Sequence, residues 1–226
     1  MTPSFLVLQL ADAAFPAGGF AHSAGLEAAI QAGLVDDARS SGSSGSIARF
    51  VDESIRQCAA FALPFVRAAH REPARLASLD ALCDAMLSNH VANRASRAQG
   101  RALLEACART FEGEVVGLRE ALYARQTPIH QAPLFGALMA PLGLDEDATA
   151  RVFAHSAARG VISAAVRLGA VGALEGQRLQ LGVHRTLEAA IADSRATRVD
   201  DAAQISPIVD LLQGTHDRLY SRLFQS

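Results

Sequence analysis

The stretch LVLQLADAAFPAGGFAHSAGLEAAIQAGL, residues 6–34, places a backbone break between two apolar segments. Pro16 has no amide proton and moves the preceding residue out of the helical region, whereas Gly18 and Gly19 permit positive φ or a close backbone approach. We therefore predict a structural elbow between two segments that are buried. Its backbone positions are Pro16, Gly18, Gly19 and Gly25, and the aromatic or polar side chains next to it are Phe20, His22 and Ser23.

The composition fits one domain with a sizeable core. The chain has 226 residues, 50% of them apolar, and a formal net charge of -2. This charge gives no electrostatic reason to expect nucleic acid or an anionic membrane as a partner. All 21 basic residues are arginine, which excludes mechanisms that need a lysine, such as a Schiff base or a P-loop.

The cysteines and the chain start indicate a reducing compartment. Cys58, Cys83 and Cys107 are far apart and form no C-x-x-C pair, so we expect buried free thiols. No run reaches about 18 apolar residues, and the first residues lack the basic region of a signal peptide. A soluble, cytoplasmic protein is the expectation.

Alanine and leucine dominate the chain at helical spacing, and no strand pair or hairpin signal is present. We predict an all-α fold, a single-domain bundle of roughly ten helices over residues 1–226. The predicted helices cover 4–14, 23–32, 47–71 kinked or divided at Pro64, 79–90 with Ser78 as its cap, 93–110, 117–125, 134–140, 145–168 with a continuation to 181, 187–195 and 207–224.

Two segments stand apart from this pattern. Residues 40–46, SSGSSGS, have the composition of a flexible linker. Residues 214–226 form a tail that is amphipathic and carries aromatic and arginine side chains, which is unusual for a chain end. Tyrosine and arginine are enriched in interface hot spots. Docking on the protein's own core and docking on a partner both remain open for its residues Tyr220, Arg222, Leu223 and Phe224.

Catalytic and metal motifs are sparse. His22 and Ser23 are adjacent, but neighbours on a helix point about 100° apart, and the G-x-S-x-G elbow is absent. The seven histidines are scattered, and no pair has i, i+3 or i, i+4 spacing. We predict no metal site within the chain, and a site shared at a subunit interface stays open.

Three stretches resemble the UreF family of urease accessory proteins. Residues 8–27, LQLADAAFPAGGFAHSAGLE, resemble the family's N-terminal signature. SPIVDLLQG at 206–214 and YSRLFQS at 220–226 resemble its ending. The phrase GGFAHSAGLEAA, taken with SPIVDLLQG, is most similar to the plant and algal branch. The alanine-rich middle resembles the family only in helical character.

The resemblance implies an all-α homodimer without catalytic residues or a cofactor of its own. Such a protein bridges the accessory protein UreD, also called UreH, and the GTPase UreG, and the assembly delivers nickel to apo-urease while the GTPase hydrolyses GTP. Phe20 and Arg222 match family positions associated with partner recruitment, although many relatives carry tyrosine at the first. The predicted partner-binding residues are Phe20, His22, Ser23, Tyr220, Arg222, Leu223 and Phe224.

Two alternatives come from other functional classes. A small α-helical serine hydrolase using His22 and Ser23 predicts turnover by the isolated chain. A nickel-binding metallochaperone with histidines from two subunits predicts a stoichiometric nickel site. Stimulation of the GTPase through an arginine is a variant of the bridging role, and the sequence nominates no particular arginine for it.

Overall fold

The computed structural model describes residues 3–36, 42–111 and 113–226, and these ranges contain helices and connections but no strand. The all-α prediction is therefore confirmed. The helices, numbered in chain order, are α1 Pro3–Ala11, α2 Leu26–Gln31, α3 Gly45–Gln57, α4 Leu63–Arg71, α5 Leu76–Met86, α6 His90–Thr110, α7 Glu114–Ala124, α8 Gln131–Met139, α9 Glu146–Arg167, α10 Ala173–Gly182, α11 His184–Asp193 and α12 Pro207–Gly214.

Helices α4, α8 and α9 form the centre of the bundle, and α9 also packs against α1, α2, α3, α10 and α11. Two glycines set the closest approaches. A Cβ atom added at Gly136 of α8 would lie 2.0 Å from the Val66 carbonyl oxygen of α4. One added at Gly100 of α6 would lie 2.0 Å from the Ile129 carbonyl oxygen. These backbones can touch only because both positions lack a side chain.

Ile129 adopts a φ of 64°, which is costly for a β-branched residue. The buried carboxylate of Asp80 holds this turn, since it accepts hydrogen bonds from the amides of Ile129 at 2.8 Å and His130 at 2.6 Å. His130 is fully buried, and its ring bonds Ser96 Oγ at 3.1 Å and Asp84 at 3.0 Å. This Ser–His–Asp chain has no access for a substrate, so it positions the start of α8.

Pro64 does not break the helical rod that runs from Gly45 to Arg71. A π-helical segment, Cys58–Ala62, lies between α3 and α4 and places Pro64 in the first turn of α4. A proline cannot donate to the carbonyl four residues earlier, here that of Ala60. The Ala203 amide donates to that oxygen instead, at 3.1 Å. The hydrogen bond at the π-helical segment thus links the α3–α4 helical rod to the connection before α12.

A buried arginine fastens the start of α9. Arg67 is 2% exposed and donates to Glu146 at 2.7 Å and to Asp147 at 3.0 Å, and also to Ser194 Oγ at 3.0 Å. Hydrogen bonds from Arg195 and Arg67 lower the pKa of Asp147 to about 2. The predicted start of this helix at residue 145 agrees with the structure to within one residue, and Asp145 caps α9 by accepting from the Ala148 amide at 2.7 Å.

Several helix predictions are wrong at their ends, and three of these differences have a reason in the contacts. Helix α5 begins at Leu76, so Ser78 is not its cap but donates to the Arg75 carbonyl at 2.8 Å. Helix α9 does not continue to residue 181, because Gly169 turns the chain with a φ of 74°. Helix α12 ends not at Phe224 but at Gly214, where the Thr215 hydroxyl donates to the Leu212 carbonyl at 2.7 Å.

The serine–glycine run lies only partly in the described ranges, which leave out residues 40 and 41. Ser44 Oγ donates to Glu175 at 2.7 Å, and Ser46 Oγ accepts from the Asp36 amide at 3.0 Å. Gly45 and Ser46 already belong to α3. Flexibility of residues 40–46 stays a prediction. Nowhere in the described part of the chain is a helix both long and apolar enough to cross a membrane.

Replacing Gly100 by alanine should lower the free energy of unfolding by about 3 kcal/mol, since the new methyl group overlaps the Ile129 carbonyl. Urea unfolding followed by circular dichroism measures the effect. Gly117→Ala is the matched control: Gly117 is exposed within α7, and no atom lies within 4 Å of an added Cβ. The control should gain about 0.5–1 kcal/mol from helix propensity. Equal effects of the two substitutions would contradict the close approach.

Candidate functional site

The elbow residues connect α1 to α2, and two of their glycines, Gly18 and Gly25, lie against other helices. Gly18 has a φ of 78°, and an added Cβ would lie 2.9 Å from the Ala102 Cβ of α6. Gly25 has a φ of 88°, and an added Cβ would lie 3.2 Å from the Gln213 Cβ of α12. Between them, Gly19–Ala21 forms one 3-10 turn. The elbow is therefore a connection that packs closely against α6 and α12.

The tail, residues 215–226 in the structure, lies on the elbow. The Ser23 amide and its Oγ both donate to the Ser226 backbone oxygen, at 2.6 Å and 3.0 Å. The Gln225 amide donates to the Ala21 carbonyl at 2.8 Å. The tail thus extends the elbow by backbone hydrogen bonds, and Ser23, fully buried, serves as an anchor of this junction.

The carboxylate of Glu27 is the centre of the junction. Glu27 belongs to α2, is 3% exposed, and accepts from the amides of Leu223 at 2.6 Å and Phe224 at 3.2 Å. Its second oxygen also lies 3.2 Å from His216 Nε2, and His216 is fully buried. A buried carboxylate is costly unless its oxygens are bonded. The tail supplies these bonds, so Glu27 and the tail are each other's main partners.

Asp217 ties the tail to α6 at the surface. It pairs with both terminal nitrogens of Arg94, at 2.7 Å and 3.0 Å, and with His90 Nε2 at 3.3 Å. Arg222 reaches the same carboxylate at 3.6 Å. The hydrogen bond from Arg94 is the largest cause that lowers the pKa of Asp217. These groups are partly exposed, so each pair is worth little by itself.

Arg167 of α9 joins the elbow and the tail from the other side. Its guanidinium carbon lies 3.5 Å from the ring centroid of Phe20 and 4.3 Å from that of Phe224. One terminal nitrogen also donates to the Phe20 carbonyl. Cation–π contact of this kind is worth about 0.5–1 kcal/mol at an exposed site. It holds the Phe20 ring in place although that ring is 72% exposed.

The predicted partner-binding residues separate into two groups. Phe20, Tyr220 and Leu223 are largely exposed, and Arg222 is half-exposed. Ser23 and Phe224 are buried, and His22 is partly buried beneath the tail. The elbow and the tail lie next to each other, but Phe20 packs against Arg167 whereas Arg222 pairs with Asp217.

His22 and Ser23 form no catalytic dyad in this structure. The His22 Nδ1 atom lies 2.6 Å from Ser226 Oγ, and the Ser23 hydroxyl donates to a backbone oxygen. Burial is the main cause that lowers the pKa of His22 to about 4, with His216 and Arg94 contributing. A neutral imidazole that bonds the tail is a structural group, so the hydrolase alternative has no support here.

The three free thiols also have no reactive character. Burial is the largest cause that raises the pKa of each of Cys58, Cys83 and Cys107 to about 12. Within residues 3–36, 42–111 and 113–226, no group of three or more His, Cys, Asp or Glu side chains is placed to hold a metal ion. A nickel site shared between subunits stays untested.

Sequence reasoning missed Glu27, Arg167 and the Arg94–Asp217 pair. Glu27 offered one signal, since it is an acid that interrupts the apolar segment Leu26–Ile30. Arg94 and Arg167 offered no such signal. All 21 basic residues of the chain are arginine, so the sequence does not distinguish these two from the others.

Comparison with known proteins gives one consistent family. The family model described as UreF matches residues 42–184. Urease accessory protein F of Oryza sativa subsp. indica is 38% identical over 222 residues, which cover 96% of this chain and 82% of that protein. The protein of that name from Arabidopsis thaliana is 35% identical, with 96% and 90% covered. Urease accessory protein UreF of Arthrobacter sp. (strain FB24) is 31% identical, with 96% and 95% covered.

Substituting Glu27 by glutamine should loosen the tail while the core stays folded. The glutamine has one accepting oxygen for the amides of Leu223 and Phe224 and for His216 Nε2, whereas the carboxylate has two. A buried donor without a hydrogen-bond acceptor costs about 1–3 kcal/mol. Amide hydrogen exchange at Leu223 and Phe224 should accelerate about 30-fold. Glu120→Gln, at an exposed position of α7, is the matched control. Unchanged exchange at both amides in Glu27→Gln would show that the carboxylate does not hold the tail.

His22 should make stability depend on pH. Its pKa is about 4 in the folded chain against 6.5 for an unperturbed histidine. Between these values the unfolded chain binds a proton that the folded chain does not, so the free energy of unfolding should rise as pH rises from about 4 to 6.5. Urea unfolding at several pH values measures this slope. Subtracting the slope of His22→Gln isolates the contribution of His22, and identical slopes would contradict the assignment.

Proposed function

Because the chain belongs to the UreF family of urease accessory proteins, we propose that it is a scaffold bridging a UreD/UreH-type protein and a UreG-type GTPase during nickel insertion into apo-urease. Its relatives are urease accessory proteins. As a member of the same family, the chain is not an enzyme but acts in urease maturation. In this proposal nickel is the cargo of the assembly, and the scaffold is a homodimer.

The observation that carries the proposal is the exposed aromatic surface at the junction of elbow and tail. Phe20 is 72% exposed but is held by Arg167, and Tyr220 and Leu223 project from the neighbouring tail. Exposed aromatic side chains on a fixed backbone lose little conformational entropy on binding, and such residues dominate interface energies. This surface is proposed to receive one of the two accessory partners.

A bridging protein needs a second contact surface, and two further helices leave apolar side chains exposed. Phe5 and Leu8 lie on one face of α1, at 72% and 65% exposure. Ile208 and Leu211 lie on one face of α12, at 66% and 71% exposure. Both pairs have the i, i+3 spacing of a helical docking face. These faces support additional contacts of the scaffold, including the proposed homodimer.

Phe20→Ala and Tyr220→Ala should each weaken assembly with the accessory proteins. Truncating an aromatic hot spot costs about 2 kcal/mol, which corresponds to about 30-fold in affinity. The measurement is co-purification with the UreD/UreH-type and UreG-type proteins, with and without GTP, read by native mass spectrometry. The masses also report whether the scaffold is dimeric.

Leu174→Ala is the matched control for these variants. Leu174 is 80% exposed, but it belongs to α10, which is part of neither the elbow nor the tail. It should assemble like the unmodified protein. Full assembly by the folded Phe20→Ala and Tyr220→Ala variants would place the partner surface elsewhere. A chain that binds neither partner in any form would contradict the bridging role itself.

A further inference from the structure

A cleft of about 520 Å³ opens beside the elbow and lies between α1, α6 and α9. Its volume is within the usual range of ligand sites. Aromatic rings form much of its wall, among them Phe15, Phe135 and Phe153. Gly160 of α9 lines the cleft, and an added Cβ there would meet no atom within 4 Å. The cleft is thus an open space with an apolar wall.

The charge in this cleft is unbalanced. Arg159 and Arg167 line it, and Asp12 is the only acid among its lining residues. The Asp12 carboxylate already accepts from the Ala14 amide at 2.8 Å. Arg167 is engaged with two aromatic rings and a carbonyl. The cleft therefore carries an excess of positive charge that the neighbouring side chains do not neutralise.

Arg159 is the most unusual group in the cleft. Its Nε atom is buried and has no hydrogen-bond partner within the described ranges. The Arg159 side chain as a whole is only partly buried, and no described residue forms an ion pair with it, so its terminal nitrogens remain for an acceptor in the cleft. The amides of Gln99 and Gln131 also line this space and can donate to the same ligand.

We propose that the cleft binds a carboxylate attached to an apolar body, with the carboxylate on Arg159 and the apolar part against the phenylalanine wall. The planar guanidinium fork matches a carboxylate in a bidentate manner. The apolar part gains by leaving water. The ligand is either a free organic acid or an acidic side chain of a partner segment, and both sources share this chemistry.

The test uses phenylacetate as the probe and the isolated full-length chain. Titration followed by ¹⁵N NMR should give saturable shifts in Gly160 and its neighbours, with a Kd of about 1 mM. Phenylacetamide has the same shape without the charge, and inorganic phosphate has the charge without the apolar body. Each should bind at least about tenfold more weakly. Equal binding of all three probes, or no saturable binding of phenylacetate, would overturn the proposal.

Three variants locate the contact. Arg159→Gln should weaken phenylacetate binding about tenfold, and Arg109→Gln, which removes an exposed charge elsewhere on the surface, should not. Gly160→Leu should block the cleft without altering charge, and it removes a glycine from a helix interior, so the fold is retained. Circular dichroism confirms folding of each variant. Unchanged affinity in both Arg159→Gln and Gly160→Leu would contradict the site.

The source of the carboxylate is decided in a second arm, which rests on the proposed assembly with the accessory proteins. If phenylacetate at saturating concentration displaces an accessory protein, and Arg159→Gln weakens the same assembly, the carboxylate belongs to that partner. If assembly is unaffected, the ligand is a free organic acid. The NMR titration of the isolated chain tests the binding chemistry in either case.

Discussion

The exposed aromatic surface at the elbow and the tail depends on one interaction. A buried carboxylate accepts hydrogen bonds from two backbone amides that are far away in the sequence. Glu27 of α2 receives the amides of Leu223 and Phe224 and lies beside His216. These bonds place Phe224 under Arg167, and Arg167 in turn holds Phe20. A single carboxylate therefore decides where exposed aromatic side chains from both ends of the fold are presented.

The rest of the bundle provides a rigid base for this arrangement. Gly100 and Gly136 bring α6, α8 and α4 to backbone contact, and Arg67 fastens the start of α9. Because α9 carries both Arg159 and Arg167, its position fixes the cleft and the aromatic contact together. The cleft and the exposed surface thus adjoin along one helix and share its positioning.

Local chemistry in the sequence predicted the class of fold and the position of the elbow. Proline and glycine act on their own backbone, so Pro16, Gly18 and Gly25 could be interpreted without knowing their neighbours. The end of α12 could not be predicted, since the tail that follows it is held by the Glu27 side chain of α2. Glu27, Arg159 and Arg167 acquire their roles only from groups far away in the chain, and sequence patterns do not contain that information.

The bonds between elbow and tail close a very long loop. Ser23 and Ser226 are separated by 203 residues, and Glu27 and Leu223 by 196. Closing a loop of this length costs conformational entropy, so we expect these contacts to form late in folding. Phe224 is the one side chain of the tail that belongs to the apolar core of the described residues, so we also expect the tail to open at lower free energy than the helices beneath it. The aromatic surface would then exist only during the closed fraction of the native ensemble.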